Sequence, residues 1–261
     1  MPTETYATMS ISTQPLPGTT IDPLYPESDG KPMGETGFHV AATLHLYAVL
    51  GSFFRDRHDV FVGCDMFVYY ERGNPAACKG PDVFVAIGVA GNHQRRVFRL
   101  WEEAVGPTVI IEVTSSSTFD EDDLVKPLVY AKLGVREYFM FDPDAEELNP
   151  PLKGQRLRNG AYELMRPDAE GRLISHELGL LLEADGPLLR AIDARTGERL
   201  MNVDEYADAT NELRKRLDET QRQVDDARQQ VDEARRQTEA ERRRVAALEA
   251  ELARLRGSNP A

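Results

Sequence analysis

The sequence predicts an α/β protein, a mixed sheet flanked by helices and followed by one long C-terminal helix. Three observations carry this expectation. Short apolar, β-branched runs recur between residues 60 and 143. One of them, TVIIEVTS at 108–115, leads through a helical pattern to VREYFMFDP at 135–143, the order of a strand–helix–strand crossover. From residue 203 to 256 apolar residues return every seven positions, with no Gly or Pro between them.

In chain order, residues 1–24 are rich in Thr, Ser and Pro and read as a flexible arm. Phe38, Ala41, Ala42, His45, Leu46, Val49, Leu50 and Phe53 recur at three- and four-residue spacing, one apolar face of a helix that Thr36 is placed to cap. VFVGCDMFVYY (60–70) and PDVFVAIGV (81–89) read as strands, separated by the loop ERGNPAACKG. VIIEV is almost wholly apolar, as in a strand buried on both faces. Asp122 to Leu133 reads as a helix with Leu124, Leu128 and Ala131 on one side. Gly134 stands at its C-terminal cap, and the acidic run Asp120–Asp123 suits its start. Pro127 requires that helix to begin late. Residues 25–150 are thus the expected core and 151–202 a β-rich extension, with a hairpin at Asn159-Gly160.

Residues 203–256 carry a seam of Leu217, Val224, Val231, Thr238, Val245 and Leu252 at a. Leu213, Thr220, Ala227, Ala234, Glu241, Leu248 and Leu255 occupy d. The spacing predicts a coiled-coil helix of roughly 80 Å, pairing as a parallel homodimer because β-branched residues at a favour two strands. The middle of the seam is weak, and a solvated single helix held by Glu–Arg pairs is the alternative. Residues 257–261 read as a disordered end.

Composition narrows the function. Apolar residues make up 41% of the 261, enough for a core, and two cysteines exclude a disulfide scaffold. No apolar run approaches the length of a membrane span. MPTETYATMSISTQ has neither a basic start nor an apolar stretch, so no secretory leader is expected. Cys64 and Cys78 read as reduced cytoplasmic thiols. The net charge is −13, and the tail holds 14 acidic and 12 basic side chains, leaving 30 acidic and 19 basic elsewhere. Such a body is unsuited to broad nucleic-acid binding unless a cation offsets local charge.

Gly-rich phosphate loops, GxSxG and HExxH are all missing from the sequence. His39 and His45 read as exposed or capping residues, and Tyr130 and Tyr138 as core. Phe98 and Trp101 beside Arg95, Arg96 and Arg99 are a basic–aromatic patch, read as partly buried structure before a nucleic-acid surface. One constellation stands out. Glu112 lies in the most apolar strand, where an ionised carboxylate is costly unless paired or bound to metal. Asp82 opens the neighbouring strand, and Lys126 follows near the next helix. Two carboxylates on adjacent strands suit one hard cation, which activates water beside a phosphate, and a nearby lysine stabilises developing charge.

GPDVFV at 80–85, VIIEVTSSST at 109–118, DLVKPLVYAKLGVREYFMFDP at 123–143 and SDGKPMGETGFH at 28–39 resemble the Uma-type family of restriction endonucleases, within the PD-(D/E)xK nuclease superfamily. The resemblance spans about residues 25–200, and the heptad tail is similar to the tails of some members. It implies a restriction-endonuclease-like fold and metal-dependent hydrolysis of DNA phosphodiester bonds. It implies Asp82 and Glu112 as ligands of Mg²⁺ or Mn²⁺, Lys126 as the catalytic lysine, and Glu35 as a further ligand. For Glu35 the reading as a solvated helix-start residue stands beside this one. The superfamily lysine belongs two residues after the acidic residue, where this chain has Thr114. That departure, with the acidic body, supports an alternative: an inactive nuclease-like scaffold acting through its coiled coil.

Overall fold

The computed structural model describes residues 15–28, 30, 35–103 and 105–257. Residues 1–14 of the expected arm, 29 and 31–34 of the opening segment and 258–261 of the expected end lie outside the described residues. The chain divides into two compact units, Met1–Val203 and Asp204–Ala261.

The first unit is built on a six-stranded mixed sheet in the order β1-β4-β6-β7-β8-β9. Its strands are β1 (Val60–Cys64), β4 (Val83–Ile87), β6 (Val109–Val113), β7 (Glu137–Phe141), β8 (Leu152–Arg158) and β9 (Ala161–Leu164). β6 and β7 are parallel and the other neighbours antiparallel. The parallel pair is joined through α3 (Lys126–Leu133), the crossover expected from the sequence. Gly134 ends α3 with φ 78°, a left-handed cap that turns the chain back into β7. Asn159 and Gly160, at φ 51° and 83°, make the tight turn between β8 and β9. β8 and β9 extend the main sheet, so that sheet runs across the expected boundary at residue 150.

The predicted strand 60–70 breaks at Asp65, where φ is 44°. Beyond it, β2 (Val68–Tyr69) joins β3 (Cys78–Lys79) and β5 (Phe98–Arg99) in a small separate sheet. α2 (Leu100–Glu103) follows β5. Residues 15–24, which composition groups with a flexible arm, are tied to this region. The Gly18 N–H donates to Glu102, the Arg96 N–H to the Gly18 carbonyl and the Arg99 guanidinium to the Thr20 carbonyl. Arg95 and Arg99 are buried in ion pairs with Glu103 and Glu102, and the Arg95 guanidinium lies 4.2 Å over the Phe61 ring. Arg95, Phe98 and Arg99 of the basic–aromatic patch are therefore internal structure, Trp101 is half-buried, and Arg96 stays exposed in a pair with Glu27.

Alternation along the strands sorts the core into two layers. Val83, Val85, Val109, Ile111, Val113, Phe139 and Phe141 pack towards α1 (Gly37–Phe53) and the sheet of β10 (Leu173–Ser175), β11 (Leu180–Asp185) and β12 (Leu188–Asp193). Phe84, Ala86, Ile110, Tyr138 and Met140 pack on the other side, against Tyr130 of α3. Thr36 caps α1, its hydroxyl accepting from the His39 N–H at 3.2 Å. α1 buries Ala42, Leu46, Val49 and Leu50 of the face its apolar spacing predicts, but its first turns are rotated: His39 and Thr43 are buried, while Phe38 is 55% exposed. His39 can turn inward because carboxylates await it there.

The second unit is α4 (Val203–Gly257), a helix of 55 residues. No described helix is long and apolar enough to cross a membrane.

Candidate active site

Asp82 and Glu112 are brought together by strand register. Val83 pairs with Ile111 and Phe84 with Ile110, so Asp82 falls beside Glu112 at the end of the β4–β6 ladder. The two residues interlock. The Asp82 N–H donates to Oε2 of Glu112 at 3.1 Å, and the Val113 N–H donates to Oδ2 of Asp82 at 2.7 Å. Parity fixes which way Glu112 faces. Val109, Ile111 and Val113 take the α1 side, which leaves Ile110 and Glu112 on the α3 side.

That side is where α3 delivers its cation. Nζ of Lys126 lies 3.0 Å from Oε2 of Glu112 and 2.7 Å from Oδ1 of Asp122. A π-helical turn, Glu121–Val125, precedes α3 and carries Asp122 inward. The Tyr130 hydroxyl donates to Oε1 of Glu112 at 2.8 Å, and the Tyr138 hydroxyl to the Asp122 carbonyl at 2.7 Å. α3 therefore presents a polar inner face. Asp122, Pro127 and Tyr130 are buried, whereas Leu124 and Leu128, expected on its apolar inner side, are 62% and 66% exposed. The reason is energetic. Fully buried Glu112 needs a cation and donors, and Lys126 and Tyr130 supply them only if that face turns in.

α1 closes the site from the other side. Nε2 of His39 lies 3.4 Å from Oδ2 of Asp82, and Nδ1 lies 3.7 Å from Oε2 of Glu35. The side chains bound a cleft of about 490 Å³ lined by Glu35, His39, Asp65, Asp82, Asp122 and Lys126, with Thr43 and Phe67 among the neighbours. His39 is 5% exposed, which corrects its reading as an exposed or capping residue. The spacing Asp122–Lys126–Tyr130, two steps of four on one helix, is the signal in the sequence that marks this polar face.

The charges settle one another's protonation. Burial pushes the Glu112 carboxyl above its ordinary range and Asp82 adds to this, while Lys126 and Tyr130 pull it back. Burial, then the charge of Glu112, raises Asp122 in the same way. For Lys126 burial acts to lower the pKa, but Glu112 and Asp122 outweigh it and hold the ammonium above its ordinary range. Lys126 is thus a fixed cation. Burial also acts to lower His39, and Asp82 and Glu35 outweigh it to raise it above 6.5.

Among the described residues no group of three His, Cys, Asp or Glu side chains is arranged to hold a metal by itself. Two carboxylates are the donor type a hard cation takes. Oδ1 of Asp82 has no hydrogen bond among the described residues, whereas Glu112 is fully buried with both oxygens engaged, Oε1 by Tyr130 and Oε2 by the Asp82 N–H and Lys126, contacts that a cation would have to share or displace. Two carboxylates would leave the remaining positions to water and phosphate oxygens, the arrangement Mg²⁺ favours.

Residues 25–188 match the family model described as "Uma2: Putative restriction endonuclease". The chain belongs to the Uma2 family. The matched span holds the interlocked carboxylates, Lys126 and the crossover helix of this Uma2 chain. Among solved structures the chain is similar to a putative nuclease belonging to DUF820 from Anabaena variabilis ATCC 29413. The identity is 19%, over 58% of this chain and 81% of that one, with a TM-score of 0.42. Comparison with curated proteins brings no match.

Proposed function

We propose that this Uma2 protein is a metal-dependent endonuclease that hydrolyses phosphodiester bonds of DNA. Asp82 and Glu112 hold Mg²⁺ or Mn²⁺, and Lys126 assists. The observation that carries this reading is the ammonium of Lys126 at 3.0 Å from Glu112, in one cleft with Asp82. A lysine from the following helix stands in for the one missing at Thr114.

A bound divalent cation supplies activation of the attacking water and neutralisation of phosphate charge. The protein's own residues do the rest. The Val113 N–H and His39 orient Asp82, while Tyr130 and Lys126 orient Glu112. Lys126 is ion-paired with Glu112 and Asp122, and its ammonium, with three N–H groups, keeps one for a phosphate oxygen. Being held charged, it acts on developing negative charge and not as a base. The acidic walls of the cleft repel a phosphodiester until a cation binds, which makes activity depend on metal. Glu35 belongs with His39 in this reading, supporting Asp82 from one step further out. The body over 25–202 carries the site, residues 203–256 join two copies, and the setting is cytoplasmic.

The test is cleavage of supercoiled and linear DNA at low salt with Mn²⁺ or Mg²⁺, comparing the wild type with Asp82→Ala and Glu112→Ala. Cleavage by the wild type alone is expected. Equal activity in all three proteins overturns the assignment.

A further inference from the structure

We infer that α4 pairs with α4 of a second copy as a parallel, in-register coiled coil, and that the residues flanking the seam specify both orientation and register. This rests on the homodimer reading of the tail and goes beyond it. In the single chain the seam is uncovered: Leu213, Leu217, Val224, Val231, Val245, Leu248 and Leu252 are all exposed. A repeat of this length with no cover is a surface for another helix.

The flanking positions say which helix. Position e carries Arg214, Gln221, Arg228, Arg235, Arg242, Glu249 and Arg256, and position g carries Ala209, Arg216, Gln223, Gln230, Gln237, Arg244 and Glu251. In a parallel in-register pair each g faces the e five residues further along the partner. Arg228, Arg235 and Arg242 then meet Gln223, Gln230 and Gln237, Arg216 meets Gln221, and Arg244 meets Glu249. No arginine meets an arginine, and the charged contact is attractive. An antiparallel pair sets e against e and g against g. With five arginines among the seven e positions, antiparallel pairing at full overlap forces arginines together.

The charges within the helix agree. Arg216 and Arg228 are already paired with Glu212 and Asp225 on their own helix, at 3.1 Å and 3.9 Å. Arg244 and Glu249 have no such pair among the described residues, and both are exposed. Glu241, the acidic residue at d, has Arg242 of the second copy beside it in this arrangement. A parallel pair starts both copies of residue 203 at one end.

The experiment uses the full chain carrying Cys64→Ser and Cys78→Ser, with one added seam cysteine, Leu213→Cys or Val245→Cys. Light scattering reads the oligomeric state, and oxidation followed by a non-reducing gel reads the register. We expect dimers, self-crosslinking of each variant, and no mixed crosslink between the two, with one copy size-tagged. Mixed crosslinks without self-crosslinks would overturn the orientation while leaving the dimer. A dimer that crosslinks neither way would overturn the register. A monomer would overturn the homodimer itself, and a dimer that persists after deletion of 203–261 would overturn α4 as the element that joins the copies. In a second arm, Glu249→Arg should weaken the dimer about tenfold by facing Arg244, and adding Arg244→Glu should restore it. Equal weakening by the double variant would remove the charge argument.

Discussion

The ammonium of Lys126 stands 3.0 Å from Oε2 of fully buried Glu112, reaching it from the helix that follows the strand. Lys126→Ala strips both Glu112 and Asp122 of their cation. In the proposed enzyme, cleavage with Mn²⁺ should fall at least about 100-fold. Urea unfolding should show a loss of about 3 kcal/mol, because two buried carboxylates are left uncompensated. Lys126→Met with Glu112→Gln should recover much of the stability and none of the activity. Wild-type stability in Lys126→Ala would contradict the pairing.

Thr114 occupies the strand position where the superfamily lysine belongs. Its N–H donates to the Phe141 carbonyl at 2.8 Å, so the ladder continues through it and Thr114 shares the face of Glu112. Its hydroxyl is buried and has no hydrogen-bond partner among the described residues. Adding Thr114→Lys to Lys126→Ala should therefore return about tenfold of the lost cleavage rate, within the range one electrostatic group supplies. No gain in a folded double variant would mean that only the helix can present this cation.

His39 reaches Oδ2 of Asp82 at 3.4 Å from the first turn of α1. Residues that orient a ligand carboxylate tune its metal affinity, so His39→Ala should weaken Mn²⁺ binding by about tenfold or more in calorimetry. His39→Gln keeps a donor and should restore part of that affinity. Thr36 still caps α1, so the fold should persist in both. Unchanged affinity in His39→Ala would remove His39 from the site.

Asp65 should set a pH dependence of stability. Burial lifts its carboxyl above the ordinary 3.8, Glu35 and Glu112 push the same way, and His39 pulls back. The folded state then holds this proton more tightly than the unfolded chain. That contribution is complete below pH 3.8 and is lost as pH rises through the raised folded-state value. Asp65→Asn escapes the loss, and asparagine tolerates the φ of 44°. In metal-free buffer its denaturation midpoint should exceed the wild type's at pH 7, with the gap closing towards pH 3.8. A constant gap across that window would exclude Asp65 as its source.

Local pattern made much of the fold legible. VIIEV is buried along its whole length, Gly134 caps α3, Asn159-Gly160 turns a hairpin and Thr36 starts α1. Each depends on residues within a few positions of one another. The inward face of α3, and the inward turn of His39 and Thr43 at the start of α1, were not legible in this way. Apolar periodicity assigns the inner side of α3 to Leu124 and Leu128, yet the buried residues are Asp122 and Tyr130, with Lys126 beside them. A buried carboxylate on a strand outweighed the hydrophobic stripe, and periodicity carries no record of what the opposite surface demands.

The sequence by itself determined the α/β class, the crossover, the long heptad helix and the anomaly of a glutamate in an apolar strand. The pairing of Asp82 with Glu112 and the inward turn of His39 and Asp122 were decided only by tertiary structure. Strand register places the two carboxylates side by side, and helix rotation follows from which buried charges must find partners across elements distant in sequence. That balance of desolvation against pairing exists only once β4, β6, α1 and α3 are assembled.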